Sequence, residues 1–180
     1  FREQFGRKGQ RTPSTWVDTL KDERRSLEKI WTGKTRCFTM GPLDFTVVFR
    51  KYFLSFAVCF YENRLKYFSA VGINPESPEW SELYLLLSRV NNKGFAGDYS
   101  RWDGHLAPEF MMAVCDIVNR WYDDSPGDQM MRRVLFDELI HTQQIAINCV
   151  YYTHIGNPSG NPYTVIVNTI IGAMYPRYVW

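Results

Sequence analysis

At 180 residues, 45% apolar and 16% aromatic, the chain has the length and the side chains for one domain with a sizeable core, or for a piece of a larger one. No apolar run is long enough to span a bilayer and no signal peptide is expected, which excludes a helical membrane span among these residues. The net charge of +2 is uneven: residues 1–51 carry 12 Lys/Arg against 6 Asp/Glu and residues 52–180 carry 9 against 13, an arrangement that suits a polyanion meeting an acidic metal site.

Residues 1–20 are basic and rich in Gly, Ser and Thr, and they read as a loop. Lys21-Asp22-Glu23-Arg24-Arg25 follows. Beyond a turn at Thr32-Gly33, Lys34-Thr35-Arg36 opens a β-prone run through Cys37-Phe38. Fixed ammonium and guanidinium groups on either side of a short linker neutralise a triphosphate, although a lone charge run more often faces solvent. From Pro42 the pattern turns helical, with Asp44 as the expected N-cap. Phe45, Val48, Phe49, Tyr52, Phe53, Phe56 and Phe60 recur at three- and four-residue spacing, the signature of a core-facing stripe. Ser77-Pro78 opens a second helix, expected to bury Trp80, Leu83, Tyr84, Leu87 and Val90 before Asn91-Asn92-Lys93-Gly94 ends it.

Gly94-Phe95-Ala96-Gly97 then reads as a short buried strand that ends at Asp98, with a second carboxylate at Asp103. Glycines on both sides allow a ligand or another segment close to the backbone. Pro108 starts a helix carrying Phe110, Val114, Ile117, Val118 and Trp121 on one face, and Asp123-Asp124-Ser125-Pro126 breaks it. A further helix from Pro126 to about Thr142 presents Met131, Val134, Leu135 and Leu139. Ile145 to Thr153 reads as one strand, rich in β-branched and aromatic residues. The Gly156-Asn157-Pro158-Ser159-Gly160-Asn161-Pro162 cluster is a loop, followed by a helix that places Thr164 and Asn168 on one face until Pro176 closes it. Backbone N–H groups of such a loop can hold a phosphate or a strand of nucleic acid, and Thr164 and Asn168 can read a ribose hydroxyl.

The four cysteines lie far apart without a CxxC pair, so free buried thiols are expected rather than a zinc site. His105, His141 and His154 form no cluster in sequence and receive no role. Phe1 in place of Met, and a final apolar run at Tyr178-Val179-Trp180, are expected of a segment cut from a longer polypeptide.

Three blocks in order resemble the RNA-directed RNA polymerases of picornavirus-like positive-strand RNA viruses, with the dicistrovirus-like group as the nearest flavour. Asp98-x4-Asp103 is similar to polymerase motif A, Ser159-Gly160-x3-Thr164-x3-Asn168 to motif B, and Lys21-Asp22-Glu23 with Lys34-Thr35-Arg36 to motif F. The resemblance implies an α+β fragment of a right-hand polymerase, with fingers helices and part of an antiparallel palm sheet. Residues 1–45 would be fingers with motif F, 46–110 palm with motif A, 111–157 an excursion from palm to fingers, and 158–180 palm with motif B. It implies that Asp98 binds the catalytic Mg²⁺ ions (Mn²⁺ being an alternative), two such ions lying about 3.5–4 Å apart in this chemistry. Asp103, helped by Thr164 and Asn168, would read the 2′-hydroxyl of the incoming nucleotide. Lys21, Lys34 and Arg36 would hold its triphosphate, and Ser159-Gly160 would be a flexible loop that tracks the template. RNA template and primer, NTPs and other viral replicase proteins would be the partners, at membrane-associated replication sites in the host cytoplasm.

The resemblance also implies a Gly-Asp-Asp motif C after motif B, which does not occur in these residues. Tyr122-Asp123-Asp124 imitates it from between A and B, and reads as a helix terminus. The polypeptide as given is therefore not expected to polymerise RNA by itself. The rival readings are a non-catalytic RNA-binding scaffold, a decayed polymerase copy, and a reverse transcriptase, the last opposed by an Asp at position 103.

Overall fold

The computed structural model describes residues 1–91, 93–94 and 96–179; Asn92, Phe95 and Trp180, which the sequence reading placed in a helix stop, a strand and the final apolar run, lie outside the described residues. In chain order the elements are α1 (Arg2–Gly6), β1 (Thr15–Leu20), α2 (Leu27–Trp31), β2 (Cys37–Met40), α3 (Leu43–Glu62) and α4 (Glu79–Ser88). A 3₁₀ turn (Trp102–Gly104), α5 (Pro108–Tyr122), α6 (Pro126–Ile140), β3 (Thr142–Ala146), β4 (Cys149–Thr153) and α7 (Thr164–Val179) follow.

The fold is α+β, with one four-stranded sheet in the order β2-β1-β3-β4. β1 pairs antiparallel with β2 and parallel with β3, and β3 pairs antiparallel with β4. The sheet is thus mixed, and its strands come from residues 15–40 and 142–153. Three sequence expectations are corrected here. Residues 1–20 are not a loop throughout, because Thr15-Trp16-Val17-Asp18-Thr19-Leu20 is β-prone and buries Trp16 completely. The expected strand over 145–153 is a hairpin, folded back at Ile147, whose φ of 56° is the left-handed turn geometry. The described residues of the apolar approach to Asp98 form no strand: Gly94 and Ala96 to Tyr99 are exposed and irregular. A short Gly-flanked run has no stability as a strand without a neighbour to pair with, and none lies beside it among the described residues.

The core forms where α3, α5, α6 and α7 meet under the sheet. The α3 stripe behaves as its spacing demands, with Phe45, Phe49, Tyr52, Phe53 and Phe56 buried. Phe49 and Phe53 stack at 4.2 Å between ring centres, and Phe53 meets Phe136 of α6 at 5.4 Å and Tyr163 at 5.2 Å. Asp44 sits in the first turn of α3 but the N-cap is Pro42; its carboxylate is taken by Arg2 at 2.8 Å. α4 departs from expectation. Trp80, Tyr84, Leu87 and Val90 are exposed, because no other element packs on the apolar side of this helix among the described residues.

Two charged groups are built into the interior. Glu138 is buried and accepts from Arg2 Nη1 at 2.8 Å, from the Thr12 amide and from the Ser14 hydroxyl, which ties the first residues to α6. Arg132 is buried against the Tyr122 ring, donates to Asn119 Oδ1 at 2.5 Å and pairs with Asp124. Asp123 caps α5 in the left-handed conformation and Ser125 accepts from the Asp128 amide to start α6, so Tyr122-Asp123-Asp124 is a helix terminus as read. All four cysteines are free, but Cys37 and Cys149 are exposed, which corrects the expectation of burial. Burial pushes the Cys115 thiol up to about 12. His141 and His154 do meet in space, their Nδ1 atoms 3.0 Å apart.

Candidate functional site

Two of the three blocks that carry the polymerase resemblance come together in space. Asn168, on the first turns of α7, donates from Nδ2 to Asp103 Oδ1 at 2.8 Å, across 65 residues of sequence. Asp103 sits in the 3₁₀ turn. The left-handed Arg101 starts that turn, and Trp102 anchors it by packing edge-on against Tyr175 of α7 at 5.2 Å. Strand pairing plays no part in holding Asp103; an aromatic contact and a side-chain hydrogen bond fix it to α7.

The loop between β4 and α7 fills the space around this pair. Asn157 donates from Nδ2 to Asn168 Oδ1 at 3.2 Å, and its Oδ1 accepts from Asn161 Nδ2. Asn161 also accepts from the Tyr163 amide at 2.7 Å, an Asx turn that starts the helix. Asn157 and Asn161 are both buried with every side-chain polar atom engaged, the condition for burying amides without cost. The backbone is tied in as well. The Asn157 amide donates to the Asp103 carbonyl at 2.7 Å and the Gly156 amide to that of Leu106 at 2.9 Å. At Gly156, φ is +90° and a Cβ would stand 2.5 Å from the Asp103 carbonyl oxygen, so only glycine fits.

Thr39, Asp103, Gly104, Gln144, Thr153, Ile155, Asn157, Pro158 and Ser159 line a cleft of about 190 Å³. Its polar groups come from Thr39, Asp103, Gln144, Thr153, Asn157 and Ser159, beside the apolar Ile155 and Pro158. The sheet contributes one side. Thr39 Oγ1 donates to Asp18 Oδ1 at 2.7 Å, the Tyr151 hydroxyl donates to the other Asp18 oxygen, and Gln144 lies 2.6 Å from that hydroxyl. Burial and Asp18 push the Tyr151 phenol up to about 12, so it acts as a neutral donor.

The remaining predicted residues divide into those in the cluster and those outside it. Ser159 lines the cleft, and the Gly160 amide donates to the Thr39 carbonyl at 3.0 Å. The Thr164 hydroxyl is turned toward the loop carbonyls of Pro158, Ser159 and Asn161 at 3.0 to 3.3 Å, where it supports the loop. Lys21 and Arg36 adjoin where the β1–β2 connection leaves and rejoins the strands, with the Lys21 amide 2.9 Å from the Arg36 carbonyl. Arg36 is mostly exposed and lies 3.7 Å from Glu23, and Lys34 is exposed in the connection. Asp98 is exposed five residues before Asp103, with Tyr99 packed on Trp102 at 4.2 Å. An exposed carboxylate is a hard oxygen donor of the kind Mg²⁺ prefers. Among the described residues no three His, Cys, Asp or Glu side chains converge, so Asp98 fits one position of a metal site and not a complete one.

The sequence reading missed Asn157, Asn161, Thr39 and Asp18. The first two had a signal: each is an Asn directly before a Pro, the pattern of a side chain that replaces a backbone turn. Thr39 and Asp18 had none, since their importance comes from a strand register that brings residues 18 and 39 face to face.

Comparison with known proteins gives this arrangement a context. A family profile described as viral RNA-dependent RNA polymerase matches residues 4–179. The chain is 39% identical over 177 residues to the replicase polyprotein of acute bee paralysis virus, covering 98% of this chain and 9% of that protein. It is 41% identical over 165 residues to the genome polyprotein of rice tungro spherical virus, and 38% identical over 174 residues to the replicase polyprotein of cricket paralysis virus. These alignments cover 91% and 92% of this chain but only 5% and 10% of those proteins. In structure it is similar to a sicinivirus RNA-dependent RNA polymerase, with a TM-score of 0.71 at 19% identity, over 94% of this chain and 36% of that one.

Proposed function

The chain belongs to the viral RNA-dependent RNA polymerase family, and from that membership we propose that it is the part of such an enzyme that selects the incoming ribonucleotide during template-directed RNA synthesis. One observation carries the reading: the 2.8 Å hydrogen bond from Asn168 to Asp103, a residue that lines the cleft. The chain spans a tenth or less of the polyproteins it matches, so the activity of the whole enzyme is part of the proposal.

The chemistry follows from donor and acceptor counts. Asn168 donates to one oxygen of Asp103 and leaves the other able to accept from a ribose 2′-hydroxyl. A deoxyribose at that position leaves the carboxylate oxygen without its donor, and an unmade hydrogen bond to a charged group is costly. Lys21, Lys34 and Arg36 supply positive charge for the triphosphate, while Ser159 borders the same cleft as Asp103. Asp98 supplies a carboxylate oxygen to Mg²⁺, with the remaining ligands coming from substrate and from other polymerase residues. When bound, two such ions lower the charge barrier to attack of a primer 3′-hydroxyl and departure of pyrophosphate. RNA, NTPs and neighbouring replicase proteins at membrane-associated sites in the host cytoplasm complete the reading.

The test is single-nucleotide incorporation by the complete polymerase that contains this segment. Asp98→Asn is expected to abolish incorporation while RNA binding persists. Asn168→Ala is expected to lower the preference for ATP over dATP by about tenfold, the worth of one hydrogen bond to a charged group. Full turnover by Asp98→Asn, or an unchanged preference in Asn168→Ala, overturns the reading.

A further inference from the structure

We propose that Asp18 and Thr39 are positioning residues for sugar selection, acting through the 156–161 loop on the Asp103–Asn168 pair. The inference rests on the reading of that pair given above, and adds two residues on the sheet: Thr39, which lines the cleft, and Asp18, which does not.

The connection is continuous. Asp18 on β1 accepts from the Thr39 hydroxyl of β2 at 2.7 Å and from the Tyr151 hydroxyl of β4. The carbonyl of Thr39 accepts from the Gly160 amide at 3.0 Å. Contact there is so close that a Cβ at position 160 would stand 2.2 Å from the Thr39 oxygen. From Gly160 the loop runs through Asn161, which donates to Asn157, which donates to Asn168, which donates to Asp103. The other end of the loop is tied to Asp103 directly, by the Asn157 amide at 2.7 Å. The loop is therefore clamped between two main chains, that of β2 and that of the 3₁₀ turn. Where β2 sits decides where the loop sits, and so how Asn168 addresses the Asp103 carboxylate.

β2 needs this fixing. It is a four-residue edge strand paired on one side only, a weak element taken alone. Asp18 faces it at the register pair Asp18↔Thr39. The carboxylate is half-buried and held by two neutral hydroxyls, with no ion pair among the described residues. A cation partner would serve stability as well; two hydroxyl contacts from β2 and β4 serve geometry, since they join the two outer strands to β1. A shift in a group that orients a substrate-reading residue by a fraction of an ångström changes selectivity before it changes folding.

The experiment compares ATP with dATP incorporation by the complete polymerase carrying Thr39→Val, Thr39→Ser, Asp18→Ala or Asp18→Asn, beside Asn168→Ala. Thr39→Val keeps the strand former and removes the hydroxyl. It is expected to lower the ATP/dATP ratio of kcat/KM about fivefold, mostly by admitting dATP. Thr39→Ser, which restores the hydroxyl, is expected to restore the ratio. Asp18→Ala is expected to match Thr39→Val, and Asp18→Asn to fall between it and wild type. A ratio within twofold of wild type in both Thr39→Val and Asp18→Ala, with Asn168→Ala impaired, overturns this proposal alone. No effect of Asn168→Ala removes the underlying reading instead. If Thr39→Val loses its cooperative thermal transition, Tyr151→Phe decides: at this exposed position loss of the second donor to Asp18 lowers the ratio by at least twofold, and an unchanged ratio counts against the proposal.

Discussion

Three asparagines, at 157, 161 and 168, take up polar duties that a backbone turn cannot. Each spends its amide on a neighbour, and the series ends on the Asp103 carboxylate. Asp103 and Asn168 were legible in the sequence because the spacing to Ser159, Gly160 and Thr164 resembles a polymerase motif. Asp18 and Thr39 were not, because no local pattern records which residues a sheet will bring opposite each other. A second residue carries a pH prediction. Burial pushes the Glu138 carboxyl above its ordinary 4.5 in spite of the Arg2 guanidinium beside it. The folded chain then keeps a proton that the unfolded chain has released, so this group's contribution to stability declines as pH rises from 4.5 through the raised folded value. Thermal melts of wild type and Glu138→Gln between pH 4 and 8 check the sign. The difference in Tm, wild type minus variant, is expected to shrink as pH rises above 4.5 and then level off; a difference that grows with pH contradicts it.

Among the elements, α3 and α4 show how far periodicity can be trusted. Both have helical apolar spacing. α3 buries its stripe against α6 and Tyr163, whereas α4 leaves Tyr84 and Leu87 in solvent. Periodicity reports which face of a helix is apolar and is silent on whether anything packs there. Substitutions should therefore diverge. Phe49→Ala removes a fully buried ring and is expected to cost about 3–5 kcal/mol, while Leu87→Ala, 61% exposed, stays within about 0.5 kcal/mol of wild type. Urea titrations followed by far-UV circular dichroism measure both; equal losses would mean that the α4 face is packed. The strands were harder to read. Thr15–Leu20 follows a basic Gly- and Ser-containing run that masks it, and the β3–β4 turn at Ile147-Asn148 lacks the usual glycine. The run before Asp98 reads as a strand, but a strand is a property of a pair, and the described residues of this run have no neighbour to join among the described residues.

Across the whole molecule, charge and topology divide the labour. The basic half supplies the β1–β2 hairpin with Lys21 and Arg36 at its loop end, and the acidic half supplies Asp98 and Asp103. The joint between them is the loop at residues 156–161, bonded to β2 through Gly160 and to the 3₁₀ turn through Asn157. The broad α+β class and the meeting of Asp103 with Asn168 were accessible from sequence; the mixed sheet was not, because its parallel β1–β3 pairing joins segments more than a hundred residues apart. Sugar selection by this fold requires that Asp103 and Asn168 act as one unit. A double-mutant cycle in the complete polymerase measures this: Asp103→Asn, Asn168→Ala and the double variant, each scored by its ATP/dATP ratio of kcat/KM. A shared site predicts that the double variant is no less selective than the worse single one, with a coupling of about 1 kcal/mol or more. Strictly additive losses would show that the two residues act apart, and would contradict it.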